Sequence, residues 1–405
     1  MKILQLSKKF PYPLKDGESL AITYMAQALH ELGAEVDLLS MNTSKHYFDI
    51  KELPDNFRHY GKMKLVDIDN RLHPKAALLN LFSNKSYHIE RFESAHYAAA
   101  LKALLQAKDY DVVQLETLYL APYIPVIRQY SKAKVVMRSH NVEHEIWERI
   151  RDNCPFGLKK WYLQLLSKRL ADYELKQLNN YDLFLAITAR DLQRFEDLGL
   201  KTAAQVVPIG LDLSKYPERP LPAAPKKIRF SFIGSLDWMP NIEGLRWLLD
   251  EVWPQFVAQH PEAEFHVAGR NSPDWLNKLR LKGLKVHGEV PSAQAFIQEY
   301  EIMLVPLKSG SGMRVKILEA MGMGRLVLST SIGLEGIHAQ DGQEVLIAND
   351  ATAFLQQMKA IYQQPYKLSE LAANGRQFIH QNYDKLRIAQ SVLEAYAQLQ
   401  PQPVD

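Results

Sequence analysis

Within the stretch RSHNVEHEIWE, His140, Glu143 and His144 spell H-x-x-E-H. On one helical turn that spacing lets two imidazoles converge on Zn²⁺ while the glutamate activates a water. Immediately upstream lies KVVMRS, a short apolar and β-branched run, so the pattern puts His140 where a strand ends rather than inside a long helix. That edge is where open α/β sheets take their ligands. From the residues alone His140 is a zinc ligand, a buried or surface histidine, or a histidine that faces a ligand.

A second group lies in PLKSGSGMRVKILEAMGMGRLVLSTSIGLEGI, residues 306–337. A strand delivers the chain into a loop with Gly310 and Gly312, and a helix is predicted to follow at once. Glycines let the backbone approach a ligand closely, while a helix start offers N–H groups and partial positive charge to a phosphate, so a pyrophosphate fits there. On the helix, Gly312, Lys316 and Glu319 are expected on one stripe. Lys316 would neutralise phosphate charge, and Glu319 would accept hydrogen bonds from vicinal hydroxyls such as those of a ribose. Arg314 points elsewhere on an ideal helix but is long enough to reach an anion near the first turn. The same residues also fit an ordinary capped helix with a surface Lys316–Glu319 ion pair.

Such residues need a scaffold. A chain of 405 residues exceeds one ordinary core and implies two domains, and a hydrophobic content of 47% is globular. The formal charge of +3, with bases dispersed, gives no case for nucleic-acid binding. Cys154 is the only cysteine, which excludes an intramolecular disulfide framework and a cysteine-cluster metal site and fits a reducing compartment. The apolar run in MKILQLSKKFPYP is too short for a signal peptide, and no stretch approaches the ~20 apolar residues of a membrane span. A soluble cytosolic protein is the expectation.

Short apolar strands alternate with amphipathic helices, which implies parallel sheets with helices on both faces. One series runs KILQLS, the helix ESLAITYMAQALHEL ending at Gly33, EVDLLSM, DVVQLE, KVVMRS, LFLAIT and AQVVPIG. Then Pro217, Pro220, Pro222 and Pro225 crowd a segment that reads as a linker. A second series follows: IRFSFIGS, EFHVAGR, LKVHGEV, IMLVPLK, RLVLST and EVLIAN. The expected division is an N-terminal Rossmann-like domain over 1–212, a linker over 213–227, a second Rossmann-like domain over 228–382, and a C-terminal helix over 383–405 that packs on either domain. Two α/β domains facing across a cleft suit a two-substrate reaction.

GSGMRVKILEAMGMGRLVLST closely resembles the C-terminal signature of glycosyltransferase family 4, retaining enzymes of the GT-B fold that use nucleotide-activated sugars. FPYPLKDGES resembles that family's first glycine loop, VVPIGLDLSKYP its domain junction, FIGSLDWMPN the opening turn of its C-terminal domain and VHGEVPS its nucleobase-side loop. The resemblance implies that Glu319, matching the second glutamate of the E-x7-E motif, binds the donor ribose. It puts Gly312 and Met313 beside the donor sugar through their backbone, Arg314 and Lys316 against the pyrophosphate, and His140 near the reacting sugar as the catalytic-side histidine. Gly17, Gly234 and Ser235 fall in the matching loops.

Three positions depart from the family pattern. Ser311 stands where the first glutamate of E-x7-E belongs. Ser235 and Asn241 lie where an arginine and a lysine are usual, so charge neutralisation rests on Arg314, Lys316 or Arg270. Gly17 is followed by Glu18, where many relatives carry a glycine pair.

Asp67 and Asp69 in VDIDN match the D-x-D that a different glycosyltransferase fold uses for a metal, although the matching family needs none. No cofactor is expected, since the nucleoside-diphosphate sugar is a co-substrate. The implied partners are that donor and a glycan or lipid-linked acceptor. The basic helix over 158–179, with Lys159, Lys160, Lys168, Arg169 and Trp161, is either an ordinary amphipathic helix or a peripheral contact with the inner face of the membrane; KAALLNLF is a comparable candidate for acceptor contact. The expected activity is sugar transfer to an acceptor hydroxyl in cell-envelope or exopolysaccharide assembly. The rivals are a sugar-nucleotide epimerase, a zinc hydrolase built on His140, Glu143 and His144, and a noncatalytic nucleotide-binding protein.

Overall fold

The computed structural model describes residues 1–14, 16–55, 57–217, 220–222, 227–310 and 312–399. The chain forms two compact units, one of residues 1–210 with the C-terminal segment from Lys385, the other of Leu211–Asp384. Among the described residues no helix is long and apolar enough to cross a membrane.

The N-terminal unit is built on seven parallel strands. They are β1 (Lys2–Ser7), β2 (Glu35–Thr43), β3 (Met63–Ile68), β4 (Val112–Leu115), β5 (Lys134–Ser139), β6 (Leu183–Ala186) and β7 (Ala204–Val206), in the order β3-β2-β1-β4-β5-β6-β7. Side chains alternate across the sheet and both faces are covered, which is why the strands read as nearly continuous apolar runs. Ile3, Val36, Leu38, Val112 and Val136 pack with Met25 and Leu29 of the helix Gly17–Glu31 and with Ile388, Val392 and Tyr396 of the C-terminal helix Lys385–Leu399. Leu4, Leu6, Leu39, Val113, Leu115 and Val135 face the opposite way, onto Leu101 and Leu104 of Ala95–Ala107 and Leu170 of Leu158–Gln177. The C-terminal helix therefore completes the N-terminal core, and Lys385 Nζ is fixed 2.6 Å from Glu31. The strand absent from the series read in the sequence is β3. It lies at the sheet edge with Lys64 and Asp67 exposed, so its apolar signal is diluted.

The C-terminal unit has six parallel strands. They are β8 (Arg229–Ile233), β9 (Glu264–Ala268), β10 (Leu284–Gly288), β11 (Ile302–Val305), β12 (Leu326–Ser329) and β13 (Leu346–Ile347), in the order β10-β9-β8-β11-β12-β13. Its core joins Phe230, Phe265, Leu304 and Leu328 to Trp253, Phe256 and Phe354. Part of the proline-rich stretch belongs to this unit. Leu211 and Tyr216 are fully buried, and the Leu211 N–H donates to the Tyr383 carbonyl at 2.7 Å.

One charged seam interrupts the apolar interior of the N-terminal sheet. Gln5 of β1 and Gln114 of β4 are in register, and Glu116 and Arg138 share their face; both charged residues are fully buried. Arg138 Nη1 reaches Glu116 Oε2 at 3.3 Å and the Ala21 carbonyl at 2.9 Å. Gln5 and Gln114 both donate to the other carboxylate oxygen, while Tyr60 donates to Gln5 at 2.7 Å and Tyr396 to Gln114 at 2.5 Å. Arg138 Nε and Nη2 find no hydrogen-bond partner among the described residues, so the guanidinium depends on Glu116 for its compensation, and removing one partner strands the other charge. Glu116→Gln keeps the shape but leaves the Arg138 charge unmatched, so urea unfolding should show a loss of about 3 to 5 kcal/mol. A loss below about 1 kcal/mol would mean the seam does not carry this charge balance.

Candidate functional site

In the C-terminal unit the strand order reverses between β8 and β11, and ligands of open α/β sheets bind at the carboxyl ends flanking such a reversal. Gly234 and Ser235 leave β8 there. A side-chain carbon at Gly234 would meet Asn241 Nδ2 at 2.7 Å, and that amide donates to the Ser235 carbonyl at 2.8 Å. Asn241 thus shapes the turn through its amide. Ser235 Oγ donates to Asp237 at 2.7 Å, and the exposed Arg270 follows β9, its carbonyl accepting from the Leu236 N–H at 2.8 Å.

The loop after β11 carries Gly310 at φ +109° and Gly312 at φ +84°, both in the region that favours glycine. The helix starts only at Val315, with Arg314 at its cap position. Gly312 therefore lies in the loop and not on a helical stripe with Lys316 and Glu319, because its left-handed backbone cannot continue a helix. The Arg314 guanidinium turns back onto the Gly312 carbonyl and lies 2.9 Å from where a side-chain carbon on Gly310 would stand. Among the described residues no side chain caps this helix, so its first N–H groups keep the partial charge that an anion can meet. Met313 is half-buried in the same loop, and Ser311 lies outside the described residues.

Lys316 and Glu319 do share the helix face. Lys316 Nζ donates to the Ile233 carbonyl at the end of β8, at 3.3 Å. Burial lowers its pKa from the ordinary lysine range and the nearby Arg270 charge adds to this, with Glu319 opposing. Glu319 is buried and accepts from the Tyr216 hydroxyl at 2.8 Å. Burial raises its pKa, while the Tyr216 hydrogen bond and Lys316 hold it down. Tyr216 carried no sequence signal beyond being the aromatic residue within a proline-rich stretch. The assembly offers amides and cations to a diphosphate and a carboxylate to a diol.

In the N-terminal unit the order reverses between β1 and β4. His140 directly follows β5, and its Nε2 lies 2.9 Å from Glu116 Oε2, at the end of the charged seam. A neutral ring held this way donates through Nε2 and keeps Nδ1 as an acceptor. Neither Glu116 nor Arg138 was singled out in the sequence, although each is a charge at the end of an apolar run. The H-x-x-E-H pattern does not assemble on one helical face, since the helix Glu143–Asp152 begins after His140. His144 Nδ1 lies 2.6 Å from Glu174, whose carboxylate also accepts the N–H groups of Glu143 and His144 at 3.1 and 3.0 Å. The two histidines are thus committed to different carboxylates. Among the described residues no three His, Cys, Asp or Glu side chains gather as a metal would require.

Gly17 opens the helix Gly17–Glu31 in this same unit, whereas the other residues assigned to the donor belong to the C-terminal unit. Asp16 caps that helix, accepting from the Ser19 N–H at 2.9 Å and from Lys9 at 2.8 Å, while Glu18 lies 3.5 Å from Lys8. The chain's own carboxylates already occupy the charge-favoured end of this helix. Asp67 and Asp69 are also engaged, with Asn42 at 2.9 Å and Arg71 at 2.6 Å, and they line a cavity of about 600 Å³ with His73, Tyr87 and Arg91.

Two family models match this chain. The description Glycosyltransferase Family 4 matches residues 17–215, and Glycosyl transferases group 1 matches residues 227–364. The chain belongs to the family 4-like glycosyltransferases. Its transferase fold is GT-B, two Rossmann-like units of seven and six parallel strands. Sucrose-phosphate synthase from Thermosynechococcus elongatus is similar in structure, with a TM-score of 0.70 at 16% identity, covering 98% of this chain and 99% of that one. Anabaena HepE in complex with UDP-glucose gives a TM-score of 0.63 at 14% identity, covering 98% and 100%. An uncharacterized 44.6 kDa protein in the cps region of Klebsiella pneumoniae is 23% identical, over 97% of this chain and 99% of that protein.

Beside His140, Glu143 is buried and accepts from the Tyr119 hydroxyl at 3.1 Å. Burial pushes its carboxyl up to about 7, with Lys8 opposing and Glu174 and Glu18 adding. Because the folded state holds this proton more tightly than the unfolded chain, the stability it contributes is complete below the free value of 4.5 and lost as pH rises through about 7. Glu143→Gln cannot ionise. Relative to the parent chain, its unfolding free energy should gain roughly 3 kcal/mol between about pH 4 and about pH 8. Parallel pH curves for the two proteins in urea unfolding would contradict the assignment.

Proposed function

We propose that the protein moves a sugar from a nucleoside-diphosphate sugar to an acceptor hydroxyl with retention of anomeric configuration. The observation that carries this reading is the grouping of the Gly310–Gly312 loop, an uncapped helix start, Lys316 and the Tyr216–Glu319 pair at one strand-order reversal. Loop amides, Lys316, Arg314 and Arg270 would take the diphosphate charge, and Glu319 the ribose hydroxyls. Gly234, Ser235, Gly312 and Met313 would present backbone to the donor. The HepE complex with UDP-glucose supports a nucleotide-sugar donor.

In the proposed reaction the bond from the anomeric carbon to the diphosphate oxygen breaks, and a bond from the acceptor oxygen forms on the same face. The acceptor proton passes to the departing diphosphate. His140, oriented by Glu116, stabilises the sugar side, and fixed donors stabilise leaving-group charge. The nucleotide sugar is a co-substrate and no separate cofactor is invoked. The reading includes a glycan or lipid-linked acceptor and cytoplasmic work in envelope or exopolysaccharide assembly; the relative in the cps region supports polysaccharide assembly alone.

With EDTA present throughout, Lys316→Ala and Glu319→Gln should each weaken donor binding about tenfold in calorimetry. His140→Ala should leave donor binding intact and lower nucleoside-diphosphate release about a hundredfold. Unchanged binding and turnover in all three would remove the assignment.

A further inference from the structure

Several of the most exposed large apolar side chains fall in two stretches of the N-terminal unit. Leu72, Leu78, Leu79 and Phe82 flank or occupy the helix Pro74–Asn80, and Phe156, Leu158 and Trp161 mark the turn into the helix Leu158–Gln177. Phe82 is 88% exposed, Leu158 87% and Phe156 wholly so. Single exposed apolar residues need no explanation, but a group of them does.

The two stretches are joined. Arg169 of the longer helix donates to the carbonyls of Asn80 at 2.8 Å and Leu81 at 3.1 Å, beside Phe82. Leu158 lies three helical turns before Arg169 on the same stripe, about 16 Å along the axis. The end of the shorter helix is therefore clamped alongside the longer one within the same unit.

Both segments are basic and free of acids. Residues 70–89 hold Arg71, Lys75 and Lys85 and no acid, and residues 153–171 hold Lys159, Lys160, Lys168 and Arg169 and no acid, in a chain whose net charge is only +3. Of the acids at the margins, Asp69 pairs with Arg71, Glu90 lies 3.8 Å from Lys85 and accepts from Asn80 at 2.7 Å, and Asp152 pairs with Arg151 at 2.8 Å, while Asp172 is exposed; Lys75, Lys159, Lys160 and Lys168 are the lysines of these segments outside those marginal pairs. Lysines interleaved with projecting Phe, Leu and Trp side chains suit an interface that is anionic at its surface and apolar just beneath.

We propose that this face docks on an anionic lipid bilayer, with Phe82, Phe156 and Leu158 entering the boundary between headgroups and acyl chains and the lysines on the lipid phosphates. It goes beyond the transfer reaction and is tested without it. The full chain is mixed with vesicles of phosphatidylcholine, alone or with about one third phosphatidylglycerol, and separated by flotation. The parent protein should float with the anionic vesicles only and be released by salt. The triple variant Phe82→Ser, Phe156→Ser, Leu158→Ser and the double variant Lys159→Glu, Lys160→Glu should each lower partitioning at least about tenfold, with unchanged urea midpoints. No flotation of the parent, or equal flotation of the variants, overturns the proposal. So does a parent dimer that the serine variant disperses without any vesicle binding, which would make the face a contact between copies.

Discussion

Parallel strands end together, and where their order reverses the connecting segments leave on opposite faces of the sheet, so the backbone there must part. Both sheets of this chain contain one such reversal, β1/β4 and β8/β11, and the chemistry-bearing residues collect at their carboxyl ends. The C-terminal reversal is lined by glycine loops and the start of the Val315–Gly322 helix, which supply amides without side-chain bulk. The N-terminal reversal is lined instead by polar and charged side chains: Lys8, Glu18 and Glu116, with His140 on Glu116.

Placing charges at such edges has a cost that neighbouring groups must offset. Glu319 is buried with a neutral hydroxyl as its partner, and Lys316 is turned onto a backbone carbonyl. The two also act on one another as opposite charges, and the proposed ligand would meet them with a diphosphate and a diol. Glu116 is the opposite case, enclosed by Arg138, Gln5, Gln114 and His140. It is a fixed charge that orients an imidazole, and the C-terminal helix reaches it through Tyr396 and Gln114.

Much of this was legible in the sequence. Apolar runs bounded by helices gave twelve of the thirteen strands a place in the two series, and the glycine loop with its lysine and glutamate pointed to the candidate site proposed for the C-terminal unit. Edge strand β3 was not in the series because two of its six side chains face water and only one is buried. The helix after the loop began later than its spacing suggested, since Gly312 adopts a left-handed backbone that periodicity does not register. The H-x-x-E-H spacing makes no shared face for a related reason: residue spacing has helical meaning only inside a helix, and that one begins at Glu143. Tyr216, Glu116 and Glu174 escaped notice because each acts on a partner distant in sequence, 103 residues away for Tyr216 and Glu319.

The most direct measurement is a crystal structure of the chain with a bound nucleoside-diphosphate sugar. The diphosphate should lie against the Gly310–Gly312 loop and Lys316, with a ribose hydroxyl within about 3 Å of Glu319. A nucleotide bound away from the β8/β11 reversal, with Glu319 contacting Tyr216 alone, would contradict the account.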